Sequence, residues 1–219
     1  MAVDLMVRGR VRGLVPKSTA EDSDENLVLT PRGELVAVQG MPPLAEIVRM
    51  GESYQSMTTA AVAAVVVRPT VAALFSLWNG EKASGKSYII DSVFAMVLVN
   101  PASIGGWGIW VMNNVVAGSS GIAKPAGAAL AIKSLTGRVA KSSAVAAVGG
   151  AVVDDGWFPA GNGIIGHATA PPEPQLDVDL KGMYIVPPGG MFNVHVVADL
   201  VTRTFLVGCR WHEAQLITP

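Results

Sequence analysis

Short apolar runs of strand length dominate the chain from Ala60 onward. Gly, Pro, Asn and Ser residues separate these runs, a spacing typical of all-β sandwiches and barrels. We therefore predict a mainly β fold, namely a jelly-roll-like β-sandwich or barrel. The predicted strands are Val62–Val67, Val71–Trp78, Tyr88–Val99, Gly106–Asn113, Leu176–Leu180, Gly182–Val186, Phe192–Asp199 and Thr204–Leu216.

Two of the predicted strands alternate clearly between apolar and polar residues. Segment 176–180 alternates Leu, Val and Leu with two aspartates, and segment 192–199 alternates apolar residues with Asn193, His195 and Asp199, with Val197 the one departure. Successive side chains of a strand point to opposite faces of the sheet. Each of these two strands is therefore expected to face water on one side.

The first 54 residues differ in composition from the rest of the chain. They carry Arg8, Arg10 and Arg12, then an acidic group at 21–25, and they have no long apolar run. Such a segment buries too little apolar surface to order itself alone, so we predict an extended N-terminal arm that folds against a partner or stays mobile. Two short apolar patches within it, 27–30 and 34–38, predict a small hairpin.

The remaining residues, 55–219, form the predicted β-sandwich body. A segment around 114–170 interrupts the strand pattern with Gly, Ala and Ser, and within it Ala144–Ala151 has residues too small to predict a strand. A connection of this length has a binding or assembly role in many proteins. It is equally compatible with strands of small residues packed at an interface, and the pattern does not decide between the two.

Charge and cysteine content narrow the classes of function. The net charge is −1, with 15% charged residues, so the whole-chain balance shows no basic surface for nucleic acid. Three arginines followed by an acidic group favour a docking surface over a nucleic-acid site. The single cysteine, Cys209, fits folding in a reducing cytoplasm.

The sequence predicts neither a membrane span nor a secretory signal. Arg68-Pro69 splits the most apolar window, Thr58–Trp78, into pieces too short to cross a bilayer. The first twelve residues have no long apolar core of the kind that a secretory signal needs, which predicts synthesis and assembly in the cytosol.

Residues Gly80–Ser87 match the pattern of a phosphate-binding loop, with Lys86 and Ser87 in the positions that would contact the phosphates and magnesium. A functional loop of this kind opens a helix, whose first N–H groups hold the phosphates. The next residues, Tyr88–Val99, are rich in β-branched and aromatic side chains and predict a buried strand. The octet is therefore interpreted as a hairpin turn, with a nucleotide-hydrolysing enzyme as the lesser alternative.

Other candidate chemistry rests on few residues. Cys209 and His212 have the spacing of two zinc ligands, but residues three apart on a strand point to opposite faces. We expect Cys209, Trp211 and Glu213 to share one face and His212 to lie on the other. The histidines have no recognisable acidic partner by spacing. No metal or other cofactor is predicted.

Two further readings involve acidic and aromatic residues of the insertion and its surroundings. Asp154 and Asp155 could serve as paired carboxylates for glycoside hydrolysis, although adjacent acids before a Gly-Trp turn are typical of solvated loops. Trp107, Trp110 and Trp157 could be stacking surfaces of a carbohydrate-binding module, or they could belong to the core or a subunit interface.

Four segments carry a resemblance to a known class of proteins: Leu77-Trp-Asn-Gly80, Ser84–Ile90, Pro187-Pro-Gly-Gly190 and Thr204–Leu216. Together with the polar arm, this pattern resembles the auxiliary structural proteins of tailed-bacteriophage virions, which decorate or cement the capsid as β-sandwich oligomers, often trimers. The likeness covers roughly residues 70–100 and 183–216. In it, the strands around Gly80 form one hairpin, and the Pro-Gly-Gly segment with the last strand forms another.

The resemblance implies a non-enzymatic virion protein assembled in the host cytoplasm. Its partners would be copies of itself, most often in a trimer, and the major capsid protein or other virion subunits. The arm, with Arg8, Arg10 and Arg12, would dock on neighbouring subunits. Trp107 and Trp110 are the apolar residues assigned to oligomer or partner contact. A host-facing carbohydrate-binding virion module is the main alternative.

Overall fold

The protein is described by a computed structural model that covers residues 8–10, 24–26, 43–99, 104–114, 122–165 and 175–216. The described residues form one helix and fourteen strands. In chain order these are β1 Arg8–Arg10, β2 Asp24–Asn26, α1 Pro43–Met50, β3 Ser53–Met57, β4 Val62–Ala63, β5 Phe75–Trp78, β6 Ser87–Val99, β7 Gly105–Asn114, β8 Ala128–Leu130, β9 Lys133–Ser134, β10 Val145–Val148, β11 Phe158–Ile165, β12 Gln175–Val186, β13 Met191–Ala198 and β14 Thr204–Ala214.

The chain divides into two compact units, Met1–Ile47 and Val48–Pro219. In the first unit β1 and β2 form an antiparallel ribbon, with Arg8 opposite Asn26 and Arg10 opposite Asp24. The hairpin predicted for 27–38 lies outside the described residues. The predicted arm extends to residue 54, and its last two residues belong to β3 of the second unit.

Two antiparallel sheets build the second unit. The first, here called the β13 sheet, has the strand order β11-β7-β13-β5-β10-β8. The second, the β14 sheet, has the order β12-β6-β14-β3-β9, with β4 paired to β14. The protein is thus mainly β, and its body is a β-sandwich.

The core lies between the two sheets and draws on both of them. Trp107 of β7 contacts Phe205 of β14, with ring centroids 5.0 Å apart, and Tyr184 of β12 contacts Phe192 of β13 at 5.5 Å. Trp211 is the largest of the fully buried side chains in this core. Burial of such side chains is the dominant stabilising contribution in a body with so little helix.

Most of the predicted strands are confirmed, with shorter limits at β4 and β5. The segment Ala144–Ala151, whose small residues did not predict a strand, contains β10, which pairs with β5 and β8. One prediction about the strands is wrong. The segments 176–180 and 182–186 are one strand, β12, in which Lys181 and Gly182 adopt positive φ at a bulge instead of ending the strand.

The two hairpins implied by the resemblance are also wrong, because the strands that each would join lie in different sheets. β5 belongs to the β13 sheet and β6 to the β14 sheet, so residues 79–86 cross from one sheet to the other. The Pro187–Gly190 segment makes a similar crossing from β12 to β13, and the turn between β13 and β14 crosses back. Sequence neighbours therefore face each other across the core.

The alternation prediction holds for one strand and fails for the other. In β12, Asp177 and Asp179 are exposed while the apolar residues between them turn inward. In β13 both faces are buried, and His195 and Asn193 have almost no exposed surface. The segment around Trp157 covers the outer face of β13, because Val152 and Trp157 pack there with Met112 and Met191 in a second apolar cluster.

Candidate functional site

The phosphate-loop octet leads into a strand. Ser87 begins β6, so no helix N-terminus is present to receive a phosphate. The ammonium of Lys86 contacts Glu52 at 2.5 Å, and the backbone N–H of Gly85 donates to the carbonyl of Lys82 in a tight turn. The side-chain amide of Asn79 closes the segment by donating to the carbonyls of Lys86 and Val186. These contacts make the octet a structural crossing between the sheets.

A buried carboxylate lies beside this crossing. Glu213 of β14 accepts a short hydrogen bond from the hydroxyl of Ser142. Burial raises the pKa of Glu213 above its usual value, although Ser142 and the nearby Lys86 oppose the shift. Burial and the Glu213 carboxylate together raise the pKa of Tyr54 to about 12. Glu213 is therefore a buried carboxyl group that lies near two tyrosines, Tyr54 and Tyr88.

Replacement of Glu213 with glutamine is expected to flatten the dependence of stability on pH. A carboxyl whose folded pKa is raised keeps its proton longer in the folded state, so the free energy of unfolding falls as pH rises from the unfolded pKa through the folded one. Glu213→Gln removes this loss. Relative to the wild type, the variant therefore gains most in free energy of unfolding at pH values above the folded pKa of Glu213. Urea unfolding of both proteins between pH 4 and 8 measures the difference.

Asp154→Asn provides a control of opposite sign. The guanidinium of Arg68 holds the pKa of Asp154 below its usual value, so this carboxyl contributes stability that is lost as pH falls. If the stability of Glu213→Gln depends on pH in the same way as that of the wild type, the titration of Glu213 does not contribute to this dependence.

A polar cluster on the outer face of the β14 sheet was not predicted. His212 donates from Nδ1 to the carboxylate of Asp91 at 2.8 Å. Arg210 donates to Asp177 at 2.5 Å and to Ser92 at 3.1 Å, and its guanidinium lies 5.0 Å from the ring centroid of Phe94. His212 therefore has an acidic partner, which spacing along the sequence did not reveal.

The cause is a bulge in β6. Register shifts between Arg210 and Trp211 of β14, so Asp91 is an extra residue between Ile90 and Ser92, and two adjacent residues reach the outer face. Asp91 and His212 are far apart in the sequence, and only the strand pairing brings them together. No spacing rule in the sequence could have found this pair.

The possible zinc ligands do not converge. Cys209, Trp211 and Glu213 face the core and His212 faces outward, as predicted. Burial raises the pKa of the Cys209 thiol, so the group stays protonated. Among the described residues, no group of three His, Cys, Asp or Glu side chains is placed to bind a metal ion.

The two adjacent aspartates have structural partners. Asp154 forms a two-point ion pair with Arg68, at 2.7 and 3.0 Å. The carboxylate of Asp155 accepts from the side-chain amide of Asn114 at 2.7 Å. A general acid needs a raised pKa, whereas the pKa of Asp154 is lowered by Arg68. Asp154 and Asp155 therefore anchor the segment around Trp157, which covers β13.

The three tryptophans considered for stacking lie in different environments. Trp107 is 4% exposed in the core, and Trp157 is 4% exposed and donates its indole N–H to the carbonyl of Thr70. The ring of Trp157 meets His195 edge to face at 5.9 Å. Neither tryptophan has surface for a partner or a sugar. Trp110 is half-buried and lines an open groove on the outer face of the β13 sheet.

The arginines assigned to the arm are only partly described. Arg8 and Arg10 lie in β1, opposite residues of the acidic strand β2. Arg12 lies outside the described residues. The contact role assigned to these three arginines stays a prediction.

Large apolar side chains are exposed at one end of the sandwich. Ile104 is 63% exposed, Ile164 72% and Val201 55%. Strand pairing places Ile164 opposite Gly106, and the backbone N–H of Asp199 donates to the carbonyl of Gly106, so these side chains share the end where β7 begins and β13 ends. The exposed apolar residues of the strand ends and turn at this end are Leu98, Val99, Ile104, Ile164, Leu200 and Val201, here called the apolar end surface.

An ion pair between a buried arginine and a partly exposed aspartate lies behind this end surface. Arg203 has no exposed surface and donates from Nε to Asp199 at 2.7 Å. The pair lies against Gly105, where a β-carbon would come within 1.9 Å of the Asp199 carboxylate. The turn that carries Leu200 and Val201 is thus fixed to the body.

Comparison of the chain with protein-family models, curated proteins and solved structures finds no match. Among the described residues, none of the helices has the length and apolar character needed to cross a bilayer.

Proposed function

We propose that the protein is a non-enzymatic structural subunit that self-associates through its apolar end surface and decorates or cements the capsid of a tailed bacteriophage. The observation that carries self-association is the set of exposed apolar side chains at one end of the sandwich. The resemblance of the turn and strand segments to auxiliary virion proteins supports the capsid as the structure it covers.

Burial of the apolar end surface would supply the driving force for association. Complete burial of an exposed Val, Leu or Ile side chain contributes about 1.5–3 kcal/mol. Contiguous apolar patches on the surface of a protein commonly mark sites of contact with other proteins. Because the patch occupies one end of the sandwich, copies related by a rotation axis could bring their patches together at that axis. A trimer is the arrangement that the resemblance favours.

The arm supplies the second contact of this proposal. The β1–β2 ribbon pairs a basic strand with an acidic one, which suits addition to a strand or charged surface of a neighbouring subunit. The major capsid protein is the partner in this role. Contacts that bridge subunits would raise the resistance of the shell to disruption.

Solution mass measured by light scattering tests self-association. The wild type is expected to form a closed oligomer, and the triple variant Ile104→Ser, Ile164→Ser, Val201→Ser is expected to dissociate at least tenfold more readily. The physical reason is the loss of three apolar side chains, each contributing about 1.5 kcal/mol or more when buried.

A matched triple variant controls for general loss of surface hydrophobicity. Val139, Val153 and Met183 are 87%, 70% and 73% exposed and do not belong to the apolar end surface. Their replacement with serine should leave the mass unchanged. A wild type that stays monomeric at all concentrations, or two triple variants that behave alike, would contradict the proposal.

A separate measurement addresses the virion. Antibody raised against the protein should label purified particles of the phage that encodes it, and labelling should disappear when the antibody is pre-absorbed with the protein. Particles that carry none of the protein would remove the capsid role while leaving self-association standing.

A further inference from the structure

The groove on the outer face of the β13 sheet has a floor without side chains. Residues 106, 108 and 110 of β7 point to the same face, because alternate residues of a strand do so. Two of them are Gly106 and Gly108, so the sheet is bare for two positions before Trp110. At about 3.4 Å per residue, the distance from Gly106 to Trp110 is roughly 14 Å. The resulting space has a volume of about 610 Å³.

The walls of the groove combine one aromatic ring with two polar groups. Trp110 and Pro159, which are paired in register, close one end. Asn162 and Val197 flank Gly108 from the neighbouring strands β11 and β13. Asp199 stands at the other end, where its carboxylate is held by Arg203 and is partly exposed. The Asn162 amide therefore borders a floor of glycines and an indole, and the Asp199 carboxylate lies beyond the end of this floor, against Gly105.

The strand pairing limits what this groove can bind. β7 is paired along its length with β13 and with β11, so its backbone hydrogen-bonding groups are already used. A peptide cannot add to it as a further strand, which requires a free edge. Recognition has to use the ring of Trp110 and the side-chain amide of Asn162. Binding sites of this kind join apolar surface with a few placed polar groups.

We propose that this groove binds an uncharged saccharide. The apolar face of a sugar ring would pack on the half-buried indole of Trp110, while ring hydroxyls exchange hydrogen bonds with the Asn162 amide. The described residues that line the groove include no basic residue that could pair with the charge of an acidic sugar, which favours a neutral one. This binding role goes beyond the structural role proposed above and does not depend on it.

Gly106→Leu is the variant that tests the groove directly. A β-carbon at Gly106 would meet no atom within 4 Å, so a leucine there fills the floor without displacing the fold. The wild type should bind at least one neutral glycan of a printed array of bacterial and host glycans. A soluble oligosaccharide of that structure should then quench tryptophan fluorescence on titration. Gly106→Leu and Asn162→Ala should each weaken binding at least tenfold.

Val153→Leu is the matched control, since Val153 is exposed and does not line the groove. It should bind as the wild type does, and the circular dichroism of every variant should match the wild type. An array with no neutral glycan bound, or binding unaffected by Gly106→Leu, would overturn the inference. If Gly106→Leu instead lowers the solution mass and no glycan binds, the groove is a contact with a second copy of the chain.

Discussion

Replacement of Trp211 with alanine is expected to lower the free energy of unfolding by about 3–5 kcal/mol, the largest effect among the changes considered. Trp211 has no exposed surface and lies in β14 between two tyrosines. Its ring centroid is 5.9 Å from that of Tyr54 and 6.3 Å from that of Tyr88. The substitution removes both contacts and leaves a cavity that rigid neighbouring strands cannot close.

Urea unfolding followed by far-ultraviolet circular dichroism measures this loss. Trp211→Phe is the informative control, because it keeps an aromatic ring between the tyrosines and should lose much less stability. The indole N–H of Trp211 is buried without a hydrogen-bond partner, so the phenylalanine variant loses no hydrogen bond there. Equal losses in the two variants would show that ring contacts and cavity size do not determine the effect.

Replacement of Gly208 with alanine is the second large effect, with an expected loss of about 3 kcal/mol, at the upper end of the range for overpacking. A β-carbon at this position of β14 would come within 2.4 Å of the backbone oxygen of Ser56 and 2.6 Å of the ring of Phe94. Ser56 belongs to the paired strand β3, so relief requires one strand to move away from the other.

The matched change Gly106→Ala separates this clash from the general effect of a methyl group on a strand. Gly106 also lies in a strand paired on both sides, yet its added β-carbon would meet open space. Gly106→Ala should therefore be neutral or stabilising by up to about 1 kcal/mol, since alanine reduces the freedom of the unfolded chain. Parallel thermal and urea unfolding of the two variants checks the contrast, and similar losses in both would refute it.

The sequence predicts the fold class well because the apolar runs carry their own periodicity. The alternation in β12 correctly places Asp177 and Asp179 in solvent. The same rule fails for β13, because the cover over His195 comes from residues around Trp157, and strand periodicity says nothing about distant segments. Strand β10 escapes prediction since alanine has weak strand preference, and its pairing with β5 and β8 outweighs that preference.

The candidate sites depend even more on tertiary structure. Trp110 can be singled out from sequence as an aromatic residue, but Asn162, which lines the same groove, is identified only by the register of β11 on β7. The contact between Asp91 and His212 requires a bulge in β6, and no residue type in the sequence predicts this bulge. The apolar end surface joins the ends of several strands, so its residues lie apart in the chain and share no periodic signal.

The crossings between sheets have a consequence for how the body folds. No pairing among the described strands of the body joins two strands that are consecutive in the chain. The sheets therefore cannot grow hairpin by hairpin, and each pairing requires closure of a long loop whose entropy is lost before contacts form. Folding should be slow for a domain of this size, and partly folded chains should expose unpaired strand edges. During synthesis β14 emerges after the other described strands and occupies the centre of its sheet, so the body can reach its final pairing only after β14 has emerged.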